Sequence, residues 1–355
     1  MVYLDNAATT VCKFPASVCD DIWSNANTPY KFGRKARELA DECRKKVKEC
    51  LGVKGGKVIF CSNASEAVKI LRGRMVANGF YTFCGPYEHD SVYYSSCPVV
   101  HAHSSKELCS YKLNKNDAIF QQWVNPVTGV IFDIPSIRQT LGNDCFLCMD
   151  ATAGVGKRVL TQSIANSVDA IWFSGHKFNG PKTGGILWVS DRLGKALDLS
   201  DDSRNEYGLK HGTLDVPSFI ATACALEYAI STQQDNFERW GELEDRLVDS
   251  EVVSIDIDFA DNFGKYRSYF STATGIYYVG CNTDALVQYL STKGIYVGLA
   301  HSACSADADY RVTRSLGISD KYAERCIRVS FSEDNTFNDI DALVDGIKEF
   351  KEKFV

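Results

Sequence analysis

Through the first two-thirds of the chain, short apolar runs alternate with helix-like stretches, and no other feature limits the fold as much. The runs are Val58–Cys61, Phe80–Cys84, Pro98–His101, Ala118–Val124, Cys145–Asp150, Ala170–Ser174 and Gly185–Val189. Between them lie Ala36–Cys50, Glu66–Ala77, Ser136–Leu141 and Ser218–Ser231, which read as helices. A run that is apolar throughout, rather than at every second position, belongs to a strand covered on both faces. Such strands separated by helices predict an α/β fold, with a mainly parallel seven-stranded sheet between helical layers.

The pattern changes after about Trp240. Val252–Phe259 and Tyr269–Val279 alternate like strands of an antiparallel sheet. A helix over Asp284–Thr292, a strand over Ile327–Phe331 and a closing helix over Asp339–Lys353 follow. The expected organisation is a large α/β domain over residues 12–240 and a smaller α+β domain over 241–355, which also takes in residues 1–11.

A chain of 355 residues with 45% hydrophobic content can bury two such cores. Its net charge of −6, from 39 basic and 45 acidic residues, argues against a nucleic-acid partner. No apolar run approaches the roughly 20 residues of a membrane span, and Met1-Val-Tyr-Leu-Asp5 has neither the basic nor the apolar region of a signal peptide. Together with that context, the 14 cysteines predict reduced thiols of a cytoplasmic protein rather than a disulfide framework. The Cys145-x-x-Cys148 pair lacks a second such pair and runs into Met149-Asp150, so core thiols are expected there, with no metal site.

Chemistry concentrates in Ser174-Gly-His-Lys177 and the glycine-proline turn that follows it, Gly180-Pro-Lys-Thr-Gly184. A lysine at the end of an apolar strand can have its pKa lowered and act as a Schiff-base nucleophile; the alternative is a solvated lysine in a polar loop. Ser174 and His176 could hold a phosphate. Asp150 ends another apolar run, where an acid points into the crevice of an α/β sheet and could pair with a protonated pyridine nitrogen. Cys61-Ser-Asn-Ala-Ser-Glu66 opens a helix, and Ser65 is either part of a phosphate site or an ordinary N-cap. His89 could stack on an aromatic cofactor or be a surface or capped-loop residue.

These segments, in this order, resemble the class V aminotransferase family of pyridoxal-phosphate enzymes, and within it the cysteine desulfurases of the NifS/IscS type. The likeness runs over Tyr3-Leu-Asp-Asn-Ala-Ala-Thr-Thr10, Ser62–Glu66, Glu88-His89, Asn125–Gly129 and Asp150-Ala-Thr-Ala-Gly-Val-Gly-Lys157. It continues through Ser174–Lys177, Gly180–Gly184, His211-Gly-Thr213, His301-Ser-Ala-Cys304 and Ile327-Arg-Val-Ser330. The resemblance implies a PLP-dependent transferase fold of type I and conversion of L-cysteine to L-alanine. By the same resemblance Lys177 would carry pyridoxal 5'-phosphate and shuttle protons, Asp150 would pair with the ring nitrogen, and His89 would stack over the ring and assist proton transfer as a catalytic residue. Ala64, Ser65, Ser174 and His176 would bind the phosphate, and Thr213 would reach the cofactor of a second subunit in a homodimer. Arg328 would clamp the substrate carboxylate, with Asn125 also at the substrate. Cys304 would take the sulfur as a persulfide and pass it to an acceptor protein, as in iron–sulfur cluster assembly.

Three positions depart from the family pattern. Ala153 stands where a glutamine usually donates to the ring hydroxyl oxygen, and on a continuing strand Thr152 would face away. Pro126 stands where an asparagine usually contacts ring and substrate, leaving Asn125 to substitute. Lys210 replaces an arginine, which is not neutral where planar recognition matters. These departures keep open a divergent activity (a selenocysteine lyase, a C–S lyase or an aminotransferase) or a catalytically weakened sulfur-relay scaffold.

Overall fold

The structure is a computed structural model that describes residues 1–19, 22–94, 100–101, 112–254, 273–301 and 310–355. Its strands are β1 (Val2–Leu4), β2 (Lys57–Cys61), β3 (Tyr81–Cys84), β4 (Val100–His101), β5 (Asp117–Gln122), β6 (Phe146–Asp150), β7 (Ala170–Ser174), β8 (Gly185–Val189), β9 (Thr274–Tyr278), β10 (Ile295–Leu299) and β11 (Cys326–Ser330). Strands β2 to β8 form one seven-stranded sheet in the order β2-β8-β7-β6-β5-β3-β4. Every pairing from β7 to β4 is parallel, whereas β8 runs antiparallel to both β7 and β2. The α/β expectation therefore holds, with one reversed strand inside the sheet.

Burial explains why these runs become strands. Every residue of β5, β6, β7 and β8 is buried, the signature of a sheet covered on both faces. Cys145 and Cys148 belong to this interior; burial pushes both thiols up, Cys148 well above its ordinary value. That is the core role expected of them. Among the described residues, no helix is long and apolar enough to cross a membrane.

By packing, the chain divides into two units. One holds Val11–Trp123 and Asp133–Ser231; the other holds Met1–Thr10, Val124–Phe132 and Thr232–Val355. The sequence placed a boundary near residue 240, but a single helix, Val216–Val248, runs through that point. The helix expected over Ser218–Ser231 continues through the polar stretch Thr232-Gln-Gln-Asp-Asn236. Trp240, Leu243 and Leu247 recur at helical spacing and enter the second core. The excursion Val124–Phe132, closed by a bridge between Val124 and Ile131, also belongs to the second unit, which the sequence did not foretell.

In that second unit the strands are ordered β1-β10-β11-β9, with helices Thr283–Thr292 and Phe337–Phe354 contributing to its core. Strands β1 and β10 escaped sequence detection because one has three residues and the other carries Gly298. The strand expected over Val252–Phe259 has only its first residues described, where Ser254 makes a single bridge to Tyr278. Residues 255–272 lie outside the described residues.

One buried ion pair fixes the start of the large sheet. Helix α1 (Lys31–Leu51) presents Arg44, whose guanidinium bonds the Glu206 carboxylate, with both groups buried. The other Glu206 oxygen accepts the Phe60 N–H of β2 at 2.7 Å, and Arg44 Nε donates to Val58 O at 3.1 Å. Glu206 and Tyr207 both sit at positive φ, 46° and 58°, a conformation that persists only because such contacts hold it. Burial pushes the Glu206 carboxyl up even with Arg44 beside it. Arg44→Ala would leave that carboxylate buried without its counter-charge. The expected loss is about 3–5 kcal/mol of unfolding free energy, read as a lower urea midpoint at unchanged m-value.

Candidate active site

Strands β2, β3, β4, β5, β6 and β7 all point the same way, so their C-terminal ends meet at one edge of the sheet, where α/β proteins bind ligands. At that edge β7 ends in Ser174 and passes into a single 3-10 turn, Gly175–Lys177. Gly175 N–H donates to Gly184 O at 2.6 Å and Gly180 N–H to Gly175 O at 2.9 Å, closing the loop on itself. Lys177 is only 8% exposed, so the solvated-lysine alternative does not describe it.

Close approach dictates the glycines of this loop. A Cβ on Gly184 would lie 2.1 Å from Thr222 Oγ1, on the helix Val216–Val248. A Cβ on Gly185 would lie 2.5 Å from the backbone nitrogen of Asn63. Gly185 pairs with Ser174 on one side and Cys61 on the other. Its missing side chain therefore lets the start of helix α2 (Ala64–Ala77) settle beside the end of β7.

The cap of α2 is Asn63, whose side chain accepts Glu66 N–H at 2.9 Å. Ser65 is thus not the cap, as one reading allowed. Ala64 and Ser65 are the first two helical residues, and first-turn N–H groups have no partner within a helix. Glu66 accepts from Ser62 Oγ at 2.6 Å and from Lys210 Nζ at 2.9 Å. Burial pushes the Glu66 carboxyl up, but the bonds from Ser62 and Lys210 outweigh it and hold it below its usual value. Lys210, the replacement for the family arginine, thereby ties the loop carrying Thr213 to the start of α2. Thr213 itself is exposed, its hydroxyl 3.5 Å from Asn25 Nδ2.

Asp150, at the end of β6, is buried and accepts Thr152 N–H at 2.9 Å on Oδ1. Beyond it the chain turns rather than continuing as a strand: Gly154 and Val155 N–H both donate to Ala151 O. The strand argument that turned Thr152 away therefore fails. Its hydroxyl is buried with no hydrogen-bond partner, and sequence reasoning missed it. His89 caps a short helix, Asp90–Tyr93, with Nδ1 accepting Ser91 N–H at 3.1 Å. In the neutral ring that bond leaves the proton on Nε2. Glu88 Oε1 accepts Gln122 N–H at 2.9 Å and Tyr87 O accepts Gln122 Nε2 at 2.8 Å, so the His89 loop is bolted to the end of β5.

Ser174 Oγ is buried without a hydrogen-bond partner. Burial, then the charges of Lys177, Lys157, Lys182 and His89, push the His176 imidazole down to about 4. Lys157, which sequence reasoning quoted but gave no role, is buried in this same group. An orphaned hydroxyl, a neutral imidazole and several ammonium groups, beside a helix start, make a setting for an anionic group.

Asn125 and Arg328, the residues expected at the substrate, belong to the other packing unit. Asn125 is fully buried and its Oδ1 accepts Val127 N–H and Thr128 N–H, both at 2.9 Å. That carbonyl shapes the Asn-Pro-Val-Thr turn. Arg328, in β11, is buried and donates from Nη2 to Asp5 Oδ1 at 2.6 Å. Cys304 lies outside the described residues.

The model of the family described as aminotransferase class-V matches residues 2–93 and 104–343. A NifS/IcsS protein homolog of Lactobacillus delbrueckii subsp. bulgaricus is 25% identical, over 100% of this chain and 98% of its own. A cysteine desulfurase IscS of Buchnera aphidicola subsp. Schizaphis graminum is 28% identical, over 98% of this chain and 91% of its own. Among solved structures, a NifS-like protein superposes with a TM-score of 0.83 at 22% identity, covering 99% of both chains, which supports the fold. The chain belongs to the class V aminotransferase family.

Proposed function

We propose that this protein is a pyridoxal 5'-phosphate-dependent cysteine desulfurase, which removes sulfur from L-cysteine and releases L-alanine. The observation that carries the reading is the buried Lys177 at the end of β7 beside the buried Asp150 at the end of β6. The residues present fit the cofactor: Ser174 Oγ is buried with no bond to satisfy it, and neutral His176 stands among lysines where a phosphate would sit. When bound, pyridoxal phosphate supplies an electron sink that makes the substrate's α-hydrogen acidic.

Lys177 Nζ would hold the group through its aldehyde carbon and, when free, would take the substrate's α-proton. Asp150 keeps the pyridine nitrogen protonated, its own orientation set by the Thr152 N–H. His89 lies on the ring with its orientation fixed by Ser91. The Ala64 N–H, Ser65, Ser174 and His176 hold the phosphate, and Thr213 reaches the cofactor of a partner subunit in a homodimer. Arg328 takes the substrate carboxylate as a planar fork, and the Asn125 amide assists. The Cys304 thiolate attacks the substrate sulfur; the carbon–sulfur bond breaks, a sulfur–sulfur bond forms, and protonation of the carbon yields alanine. The persulfide sulfur then passes to an acceptor protein in a reduced, cytoplasmic setting, as iron–sulfur cluster assembly requires.

The deciding experiment is the mass of the intact protein after incubation with L-cysteine. Gain of one sulfur atom in the holoprotein, absent from Cys304→Ser, is expected; the same gain in Cys304→Ser excludes Cys304 as the acceptor. The visible absorption of the lysine-bound cofactor should be missing from Lys177→Ala, and a wild-type protein purified without any cofactor would end the proposal. Ser174→Ala should weaken cofactor binding about tenfold in equilibrium dialysis, in line with one lost charge-assisted hydrogen bond; unchanged affinity would remove Ser174 from the phosphate site. His176 gives a pH test. Its folded pKa of about 4 lies below the ordinary 6.5, so the unfolded chain takes up the proton first and stability falls as pH drops between those values. His176→Gln should flatten that part of the stability curve in the cofactor-free protein, measured by urea unfolding at each pH.

A further inference from the structure

The most N-terminal motif, Tyr3-Leu-Asp-Asn-Ala-Ala-Thr-Thr10, has no part in the chemistry above, yet it is built into the strand that carries Arg328. We infer that Asp5 is a positioning residue: it sets the orientation of the Arg328 guanidinium and so tunes recognition of the substrate carboxylate. This deepens the proposed desulfurase reading and rests on the role that reading gives Arg328.

Three observations support the inference, all within one packing unit. First, the contact is an ion pair: Arg328 Nη2 to Asp5 Oδ1 is 2.6 Å, with the arginine side chain almost wholly buried. A guanidinium carries five N–H donors in one plane, so a protein carboxylate on one edge fixes the plane in which another carboxylate must lie.

Second, the sheet is shaped to admit this pair. Gly298 of β10 stands directly opposite Arg328. A Cβ on Gly298 would lie 2.7 Å from Arg328 Nη2, 2.7 Å from Asp5 Oδ1 and 2.8 Å from Arg328 Nε. Any other residue there would collide with the guanidinium and its carboxylate together. Gly298 does not owe its place to a turn: it lies inside a strand, where glycine is otherwise disfavoured.

Third, Asp5 is held independently of Arg328. Asn6 Nδ2 donates to Ser330 O at 3.0 Å, and Ala7 N–H donates to Ser330 Oγ at 2.7 Å. Tyr3 OH donates to Thr9 O at 2.8 Å, and Asp5 itself bridges to Ser330. Asn6 and Ala7, which follow Asp5, are thus both tied to Ser330, two residues from Arg328. The aspartate is the fixed member of the pair and the long arginine side chain is the member it orients.

The test compares kinetics of the holoenzyme with L-cysteine for Asp5→Ala, Asp5→Asn, Gly298→Ala and Arg328→Lys. Asparagine keeps an acceptor oxygen at the same place, so Asp5→Asn should stay within about threefold of the wild-type KM, whereas Asp5→Ala should raise KM about tenfold with kcat within about twofold. Gly298→Ala should shift KM in the same sense, and it carries the test if Asp5→Ala does not fold. Arg328→Lys, which removes the fork, should raise KM more than either. An unchanged KM in both Asp5→Ala and Gly298→Ala, with Arg328→Lys impaired, overturns the role of Asp5 and leaves that of Arg328. An unchanged KM in Arg328→Lys overturns the carboxylate clamp and this inference with it. Equal falls of kcat in Asp5→Ala and Asp5→Asn, without the KM split, would mark Asp5 as structural only and also overturn it.

Discussion

The reversal of β8 is the constraint on which the site depends. Had β8 run parallel to its neighbours, β7 would have needed a helical crossover, and the chain leaving Ser174 would have been carried away from the sheet edge. Instead Ser174 and Gly185 pair directly, and only a short loop joins them. That loop must double back within hydrogen-bonding distance of itself, which Gly175 and Gly184 permit. It must also pass Thr222 and the backbone of Asn63 at separations no side chain allows.

The same reversal arranges charge. Because β8 stands between β7 and β2, the helix start that follows β2 comes to the same edge as Ser174 and Lys177. Amide N–H groups, the Lys157, Lys177 and Lys182 ammonium groups and a neutral His176 then gather in one region. Lys157 and Lys177 are both buried while Lys182 is exposed, and burying two like charges costs free energy that an anion would offset. Asp150 stands on the neighbouring strand, so the edge presents positive groups and one carboxylate on adjacent strands.

Much of this was legible in the sequence, and the reasons are local. β6 to β8 are apolar at nearly every position because both faces are covered, and Lys177 and Asp150 stand out as the polar residues at the ends of such runs. What escaped depended on the chain leaving those runs. Thr152 was assigned to a strand that in fact turns at Ala151, a change determined by bonds to a carbonyl and not by residue type. Asn63, rather than Ser65, caps α2, and nothing in Ser-Asn-Ala-Ser ranks one good capping residue above another. The helix Val216–Val248 crosses its polar middle because Trp240, Leu243 and Leu247 find a core beyond it. Short strands such as β1 carry no period to read.

Position in the chain hid the partner of Arg328 as well. Asp5 and Arg328 are separated by 323 residues, a pairing no local pattern encodes. The glycine that makes room for them looks, in sequence, like any weak point in a strand. Both become intelligible once β1, β10 and β11 lie side by side: the first strand brings a carboxylate, the second withholds a side chain, and the third supplies the guanidinium. A long, flexible arginine loses considerable rotamer entropy on being fixed. When the protein's own carboxylate imposes that order during folding, a ligand carboxylate of the kind proposed for Arg328 would meet a guanidinium already oriented. Binding energy not consumed in ordering the side chain remains available to discriminate between ligands, which is the physical meaning of preorganisation at this arginine.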